Sequence, residues 1–341
     1  MLTLDSMLRE IEADSRGKAD YVTQLSNLRI DNEGNVVFLK PSEVQGPATK
    51  DIPFVTTDWA ESQLLGRLEM PVQYFRRCNG ENPDLYRQHF NYWAARSNKV
   101  ARLRTRVRGD KGIIRGAVSE AYSIFDNDMV GEILQNILQG HSSRYSIVMF
   151  HIDDHRMHAR LTFTDLTKPL GILPDGTPDY MRLGVDIVNS EVGASSFNMA
   201  EMIWRLVCSN GLRRWEPGES TFTQRHIHLR TIEFQGRVAE AIVNQLRTGR
   251  EFLEQYNETQ KLLIPNPFEA IEKLSKEGGF SGQFTDNVKT NFDGDDTAYG
   301  IVNAFTRSAR ELPNERRLEV ESFAGKLVTM PASRWERFQG V

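Results

Sequence analysis

Residues 100–108 read V-A-R-L-R-T-R-V-R, with polar and smaller residues alternating at a period of two. That period predicts a strand. It places Arg102, Arg104, Arg106 and Arg108 on one face and Ala101, Leu103, Thr105 and Val107 on the other. Gly109-Asp110-Lys111-Gly112 is a turn signal and residues 113–118 read as a second strand, so the two form a hairpin. Alternation returns over residues 145–152 and 157–163, on either side of H-I-D-D-H-R, and residues 181–190 read as a further strand. Shorter strands are expected around residues 21–29 and 36–39. Helical spacing marks residues 2–11, 57–68, 85–97, 129–138, 199–208, 232–263, 268–276, 297–310 and 319–327. Pro71 opens one more helix, and Phe90, Trp93 and Ala94 suit the buried side of the 85–97 helix. Residues 171–180 read as a Gly/Pro-rich loop. The glycines and acids between residues 278 and 296 read as a flexible or turn-rich link.

These elements predict an α+β fold: an antiparallel sheet with a basic hairpin, packed by helices, over residues 1–225. A mostly helical portion follows over residues 226–341, either on the same core or beside it.

Composition changes this picture in one place. The 341 residues are 39% hydrophobic and 26% charged, with a formal charge of -4. That suits a globular protein and excludes a globally basic nucleic-acid coat. Residues 96–115 nevertheless hold eight Lys and Arg against the single acid Asp110. Four like charges on one strand face require a counterpart. One is a polyanion, whose phosphates arginines spaced about 6.6 Å apart can follow. The other is a set of carboxylates from a neighbouring element, with residues 81–84 as one source. Tyr92, Trp93, Tyr122 and Phe125 lie nearby in sequence, and single-strand binders pair positive grooves with such rings. The two cysteines, Cys78 and Cys208, supply neither a disulfide framework nor a metal finger. The first residues carry acids and no apolar run, and no stretch of eighteen apolar residues occurs. A cytoplasmic protein with no membrane span is the expectation.

Enzymatic motifs are scarce. His151, Asp153 and His155 alternate in H-I-D-D-H-R-M-H, with His158 able to return across a hairpin. These are ligand types for zinc, manganese or iron, although the same residues make an ordinary polar turn. His226 and His228 form a second same-face pair. Asp293-Gly294-Asp295-Asp296 reads as a helix-start turn, since the full EF-hand ligand pattern is missing. There is no G-x-S-x-G elbow, no H-E-x-x-H helix and no Walker loop. No catalytic residue and no cofactor are assigned. A nuclease would need scattered acids or histidines to converge around a metal.

Several segments carry a family resemblance: R-G-A-V-S-E-A-Y at residues 115–122, F-D-N-D at 125–128, V-N-S-E-V-G-A-S-S at 188–196, W-R-L-V-C-S-N-G at 204–211 and A-F-T-R-S-A at 304–309. In this order they resemble the phage and plasmid proteins grouped as domain of unknown function 932, over roughly residues 50–330. The resemblance implies a role in DNA maintenance, recombination or host defence and no defined reaction. The arginine hairpin followed by a helix also looks like the core of Rad52-type single-strand annealing proteins. That likeness implies phosphate contacts from Arg102, Arg104, Arg106, Arg108, Lys111 and Arg115, and assembly into homo-oligomers. The expectation is a binder of single-stranded DNA, with RNA as an alternative ligand, serving annealing or recombination in a mobile element. A protein-interaction module in phage defence or counter-defence and a metal-dependent nuclease are the competing readings.

Overall fold

Thr3 opens the first helix with a capping box: its side chain accepts from Ser6 N, and the Ser6 side chain accepts from Thr3 N. Two donors that a helix start leaves open are thereby satisfied. The computed structural model describes residues 2–40, 43–45, 52–108, 111–140, 145–172, 176–206, 210–214, 221–226 and 231–338. This helix, α1 (Leu4–Ser15), precedes a seven-stranded sheet. Its strands are β1 (Lys18–Gln24), β2 (Leu28–Ile30), β3 (Val36–Phe38), β4 (Glu43–Gln45), β5 (Phe54–Thr56), β6 (Val100–Arg108) and β7 (Lys111–Val118), in the order β2-β3-β5-β7-β6-β1-β4. The predicted hairpin is β6–β7; residues Gly109 and Asp110 of its turn lie outside the described residues. The β5–β7 pair is parallel and the rest are antiparallel. A parallel pair needs a long crossover, and α2 (Asp58–Arg67), α3 (Val72–Glu81) and α4 (Pro83–Ala94) fill it. These helices bury Leu64, Leu65, Phe75 and Phe90 against Ala19, Tyr21, Ala101 and Leu103, the small and apolar face of β1 and β6.

Next, α5 (Asn127–Gly140) leads to a second, wholly antiparallel sheet. Its strands are β8 (Tyr145–Ile152), β9 (Met157–Ile172), β10 (Pro178–Asn189), β11 (Phe197–Arg205), β12 (Asn210–Arg213) and β13 (Thr221–Gln224), in the order β12-β11-β10-β9-β8, with β13 also paired to β11. One face, including Met157, Ala159, Leu161, Val185 and Ile187, shares a core with α1, α5 and the long helix α6 (Thr231–Glu258). The remaining helices are α7 (Pro267–Glu277), α8 (Gly282–Thr290), α9 (Ala298–Ser308), α10 (Asn314–Val328) and α11 (Ala332–Trp335). They pack with Met181, Leu183, Ile203 and Leu212, so the helical portion shares a core with this sheet. The fold is α+β with a mostly helical C-terminal region, as the periodicities predict.

Three local expectations are corrected. The spacing predicts a helix over residues 199–208, yet β11 occupies Phe197–Arg205. This strand lies inside the sheet and is buried on both faces, so its apolar run carries no alternation to distinguish it from a buried helix. The expected link between residues 278 and 296 contains α8, started by Ser281, whose side chain accepts from Phe284 N at 3.3 Å. Flanking glycines hide this helix in the sequence, and burial of Val288 helps to hold it. Trp93, expected on the buried side of α4, is 51% exposed. The inward residues of α4 are Tyr86, Phe90 and Ala94, a spacing of four that leaves Trp93 outside.

The two halves meet where the β10–β11 turn lies on β7. A Cβ added at Gly116 would approach Val192 Cβ to 2.8 Å and its Cα to 3.2 Å. Gly116→Ala is therefore expected to displace this turn and cost about 1–3 kcal/mol of stability. Denaturant unfolding checks this; an unchanged midpoint would show that the turn yields freely.

Candidate functional site

The β1–β6 register places Lys18 opposite Arg106, Asp20 opposite Arg104 and Val22 opposite Arg102. The charged residues project from the face opposite the α2–α4 core, toward the second half of the molecule. There the arginines meet carboxylates. Arg104 is 2% exposed; its Nε lies 3.1 Å from Asp20 Oδ1, and its Nη2 donates to Asp126 Oδ2 at 2.6 Å. Arg102 Nη1 lies 3.6 Å from Asp20 Oδ2. Arg106 pairs with the Asp14 carboxylate at the end of α1 and donates to its carbonyl at 2.9 Å. Between Arg104 and Thr105 the β6–β7 register shifts. Such a bulge re-aims a side chain, and at this irregularity Arg115 reaches Glu191 at 2.6 Å. Glu191 also receives Lys18 at 2.7 Å and the Asn127 N–H at 2.9 Å, which opens α5. Of the six sequence-selected cations, Arg102, Arg104, Arg106 and Arg115 are thus engaged by acids. Arg108 and Lys111 stand exposed at the hairpin end.

This network is electrostatically divided. Burial opposes ionisation of Glu191, but Arg115, Lys18 and the Asn127 N–H outweigh it and hold the carboxyl at about 2. Burial dominates at Asp126 and raises it to about 6 despite Arg104, with Glu191 adding to the rise. A raised carboxyl contributes stability at low pH that is lost as pH climbs through its folded value. Asp126→Asn is accordingly expected to gain stability relative to wild type between about pH 4 and 7. Parallel denaturation curves across that range check the sign, and a relative loss would refute it.

Outside this network, α3 and α4 carry a different surface. Asn82 caps α4 by accepting from Leu85 N at 3.1 Å, and Pro83 follows in the first turn. Burying Phe75, Cys78, Tyr86, Phe90 and Ala94 leaves Tyr74, Tyr92 and Trp93 outside at 48%, 51% and 51% exposure. The His89 ring stacks beside Tyr74, with centroids 6.4 Å apart and planes at 26°. Trp93 follows His89 by one helical turn, about 6 Å along the axis. It meets Tyr92 edge-on at 5.2 Å, and the Arg96 guanidinium sits 3.6 Å from the Tyr92 centroid. Residues 72–99 hold five Lys and Arg against two acids, but Arg76, Arg77, Arg87 and Lys99 pair with Glu61, Glu81, Asp84 and Glu69, which leaves Arg96 as the cation of this face. Sequence reasoning noted Tyr92 and Trp93 but sought their rings near the arginine strand. The missing signal was the i, i+4 spacing of His89 with Trp93 and of Tyr92 with Arg96.

The histidine candidates separate. Asp153 Oδ1 accepts from the backbone N–H groups of His155 and Arg156 at 2.8 Å each, closing the β8–β9 turn. His151 Nε2 is 3.6 Å from Asp153 Oδ2, and the His155 ring lies 5.7 Å from that of Trp59. Among the described residues, no three His, Cys, Asp or Glu side chains are grouped to hold a metal ion. His226 stacks on Tyr122 at 5.1 Å and 9°; burial first, then Arg104, lowers it to about 4. His228 and Cys208 lie outside the described residues.

Sequence reasoning missed the polar face of the second sheet. His158 and Arg160 on β9 and Asp186 on β10 point there, under α10. Asp186 Oδ1 accepts from Arg160 Nε at 2.7 Å and lies 2.6 Å from His158 Nε2, while Arg213 Nε reaches its other oxygen at 2.8 Å. Glu321 of α10 pairs with Arg160 and accepts from Arg317 Nε at 2.9 Å. Burial opposes the Asp186 charge, yet His158, Arg213 and Arg160 hold the carboxyl well below its ordinary range. Burial pushes His158 down, with Arg160 and Arg213 adding to the shift against the pull of Asp186.

These features define a two-sheet α+β protein with buried ion-pair networks and an exposed aromatic, basic helical face. Among the described residues, no helix is long and apolar enough to cross a membrane. The chain belongs to the family described as Domain of unknown function (DUF932), which matches residues 115–316. That span takes in the second sheet and α5–α9; α1, α3, α4 and β6 precede it, and most of α10 and all of α11 follow it. No curated protein and no solved structure matches the chain.

Proposed function

We propose that this protein binds single-stranded nucleic acid through the outer face of α3 and α4. The observation that supports this is the set of exposed rings Tyr74, Tyr92 and Trp93, with half-buried His89 among them and exposed Arg96 on the Tyr92 ring. Stacking on exposed rings tolerates any base sequence, and neighbouring guanidiniums attract phosphates. The role is thereby moved away from the arginine strand, whose members are largely answered by Asp14, Asp20, Asp126 and Glu191. Exposed Arg108 and Lys111 offer phosphate a second place to bind, but β6 extends about 26 Å from Val100 to the hairpin end. Annealing, recombination for a phage or other mobile element, and homo-oligomeric assembly extend the same reading. The Rad52-type likeness lends it no weight. The competing protein-interaction reading draws on the same rings, because Tyr, Trp and Arg also anchor protein interfaces.

Salt titration with labelled single-stranded DNA, duplex DNA and RNA separates the two. Single-stranded ligands are expected to bind more tightly than duplex, with affinity falling as salt rises. Absence of salt-dependent binding to every nucleic acid would remove the proposal.

A further inference from the structure

Tyr21 on β1 and Phe54 on β5 are separated in the first sheet by β6 and β7, a distance of about 14 Å if the sheet were flat. Their rings lie 5.7 Å apart, and Phe38 of β3 meets both, at 5.3 and 5.7 Å. The sheet therefore curls around its core, and residues that point away from that core form a convex outer face. The second half of the molecule covers one part of this face, over Arg104, Arg115 and Gly116. The part built by β2, β3, β5 and the hairpin end is open. Val55 is 51% exposed and its register partner Ile113 is 39% exposed, while the adjoining Phe54 and Ile114 are fully buried. Arg29 is exposed between buried Leu28 and Ile30. The period of two thus directs all three side chains outward.

Register aligns the cations of this open part. Arg29 pairs with Val37 and Arg108 with Lys111, while Val36, Phe54 and Gly112 lie side by side. One residue along from that trio come Val37, Pro53 and Lys111. A single row therefore crosses the sheet as Arg29, Val37, Pro53, Lys111 and Arg108, over four strand spacings or about 19 Å. Val55 and Ile113 lie beside it. Unlike Arg102, Arg104 and Arg106, the three cations of the row have no carboxylate partner among the described residues. Asp31, an acid two residues from Arg29, turns its Oδ1 into its own loop, where it accepts from Glu33 N and Asn35 N at 2.9 Å each.

The row begins at the helical face. Asn91 of α4 holds Ile30 of β2 twice, accepting from its N–H at 2.8 Å and donating to its carbonyl at 2.9 Å. Tyr92 follows Asn91 and Arg29 precedes Ile30, so this clamp sets the two surfaces next to each other. We infer that a single strand of nucleic acid leaves the rings of α4 at Arg29 and crosses the open sheet face to Lys111 and Arg108. Its phosphates meet the three cations, and its sugars and bases lie over Val55 and Ile113. This path rests on the proposed function and extends it, joining the helical face and the hairpin end into one site.

Salt titration of the full chain with labelled oligothymidylates of about 4 and about 16 nucleotides tests the path. The short strand is expected to occupy the rings alone. The long strand is expected to show a salt slope steeper by about 2, from three further phosphates at about 0.7 each. Slope is the readout because a longer strand also offers more registers, which raise affinity without adding contacts. The triple variant Arg29→Gln, Lys111→Gln, Arg108→Gln is expected to return the long strand to the short strand's slope and to leave the short strand unchanged. Val55→Glu keeps all three cations and sets a carboxylate in the path; it is expected to weaken the long strand alone, by about fivefold for one surface repulsion. All four positions are exposed, so circular dichroism of both variants should match wild type. Equal slopes for the two lengths, or a long strand indifferent to both variants, would overturn the path and leave the helical face standing. Weakening of the short strand by the triple variant would also overturn it. Tighter binding of a polyglutamate peptide than of the long oligonucleotide would assign the open face to an acidic protein partner instead. Absence of binding at both lengths would remove the proposed function itself, and the path with it.

Discussion

Glu191→Gln is expected to lower unfolding free energy by about 3–5 kcal/mol at neutral pH, because it leaves buried Arg115 without its counter-charge and takes from half-buried Lys18 one of its two carboxylates, Asp14 being the other. Lys18 and Arg115 converge on this carboxylate from β1 and β7, while Asn127 N–H joins it from the start of α5. Gln keeps the shape and one acceptor, so the loss reports charge rather than a cavity. The pH course is fixed by sign. Glu191 has a folded value of about 2, below its ordinary 4.5. Its contribution is complete above the ordinary value and disappears as pH falls toward the folded one. The gap between wild type and Glu191→Gln should hold from neutral pH to about 4.5 and then narrow toward pH 2. Urea unfolding at several pH values measures it. A neutral-pH gap under about 1 kcal/mol would place this pair with weak surface bridges instead.

The second large effect concerns binding. The double variant Tyr92→Ala, Trp93→Ala is expected to weaken single-stranded DNA binding at least about tenfold, since base–ring stacking contributes about 1–3 kcal/mol per base. Its salt slope should match wild type, because no cation is removed. Arg96→Gln should instead flatten the slope by about 0.7 for each phosphate left without its cation. Arg108→Gln with Lys111→Gln should leave both quantities near wild type if the helical face alone carries binding. Fluorescence anisotropy over a salt series distinguishes these outcomes. The rings are half exposed, so their removal should barely alter the unfolding midpoint. Retained affinity in the double variant would direct attention to the hairpin end. Loss of affinity in the hairpin-end variant alone would do the same.

Much of the architecture was legible because many elements expose one face and bury the other. The alternation in β6, the turn after it and the Thr297 start of α9 are local signals, and the strand and helix lie where the chain predicts. Where burial is two-sided, as in β11, the signal vanishes. The functional surface was harder for a related reason. Four arginines in alternation announce that counter-charges exist, but Asp14, Asp20, Asp126 and Glu191 come from three distant segments. Pairing across such distances is a property of the assembled sheets. Trp93 and Tyr92 have the opposite history: their exposure follows from which neighbours α4 buries, and a helix start displaced by two residues changes that choice little. The Asp186–His158 pair joins strands through register, which the sequence of either strand alone does not specify.

The bridge from Lys18 to Glu191 spans 173 residues of sequence, and that from Arg160 to Glu321 spans 161. A growing polypeptide therefore makes Lys18 and Arg115 well before Glu191 exists, whereas Asp14 and Asp20, which answer Arg102, Arg104 and Arg106, precede β6. At synthesis rates of about 5–20 residues per second, Arg115 waits several seconds or more for Glu191, and Lys18 waits longer beside Asp14. The charged face of the first sheet is completed only after translation has passed the β10–β11 turn, which makes that turn a timing point in biogenesis as well as a joint in the fold.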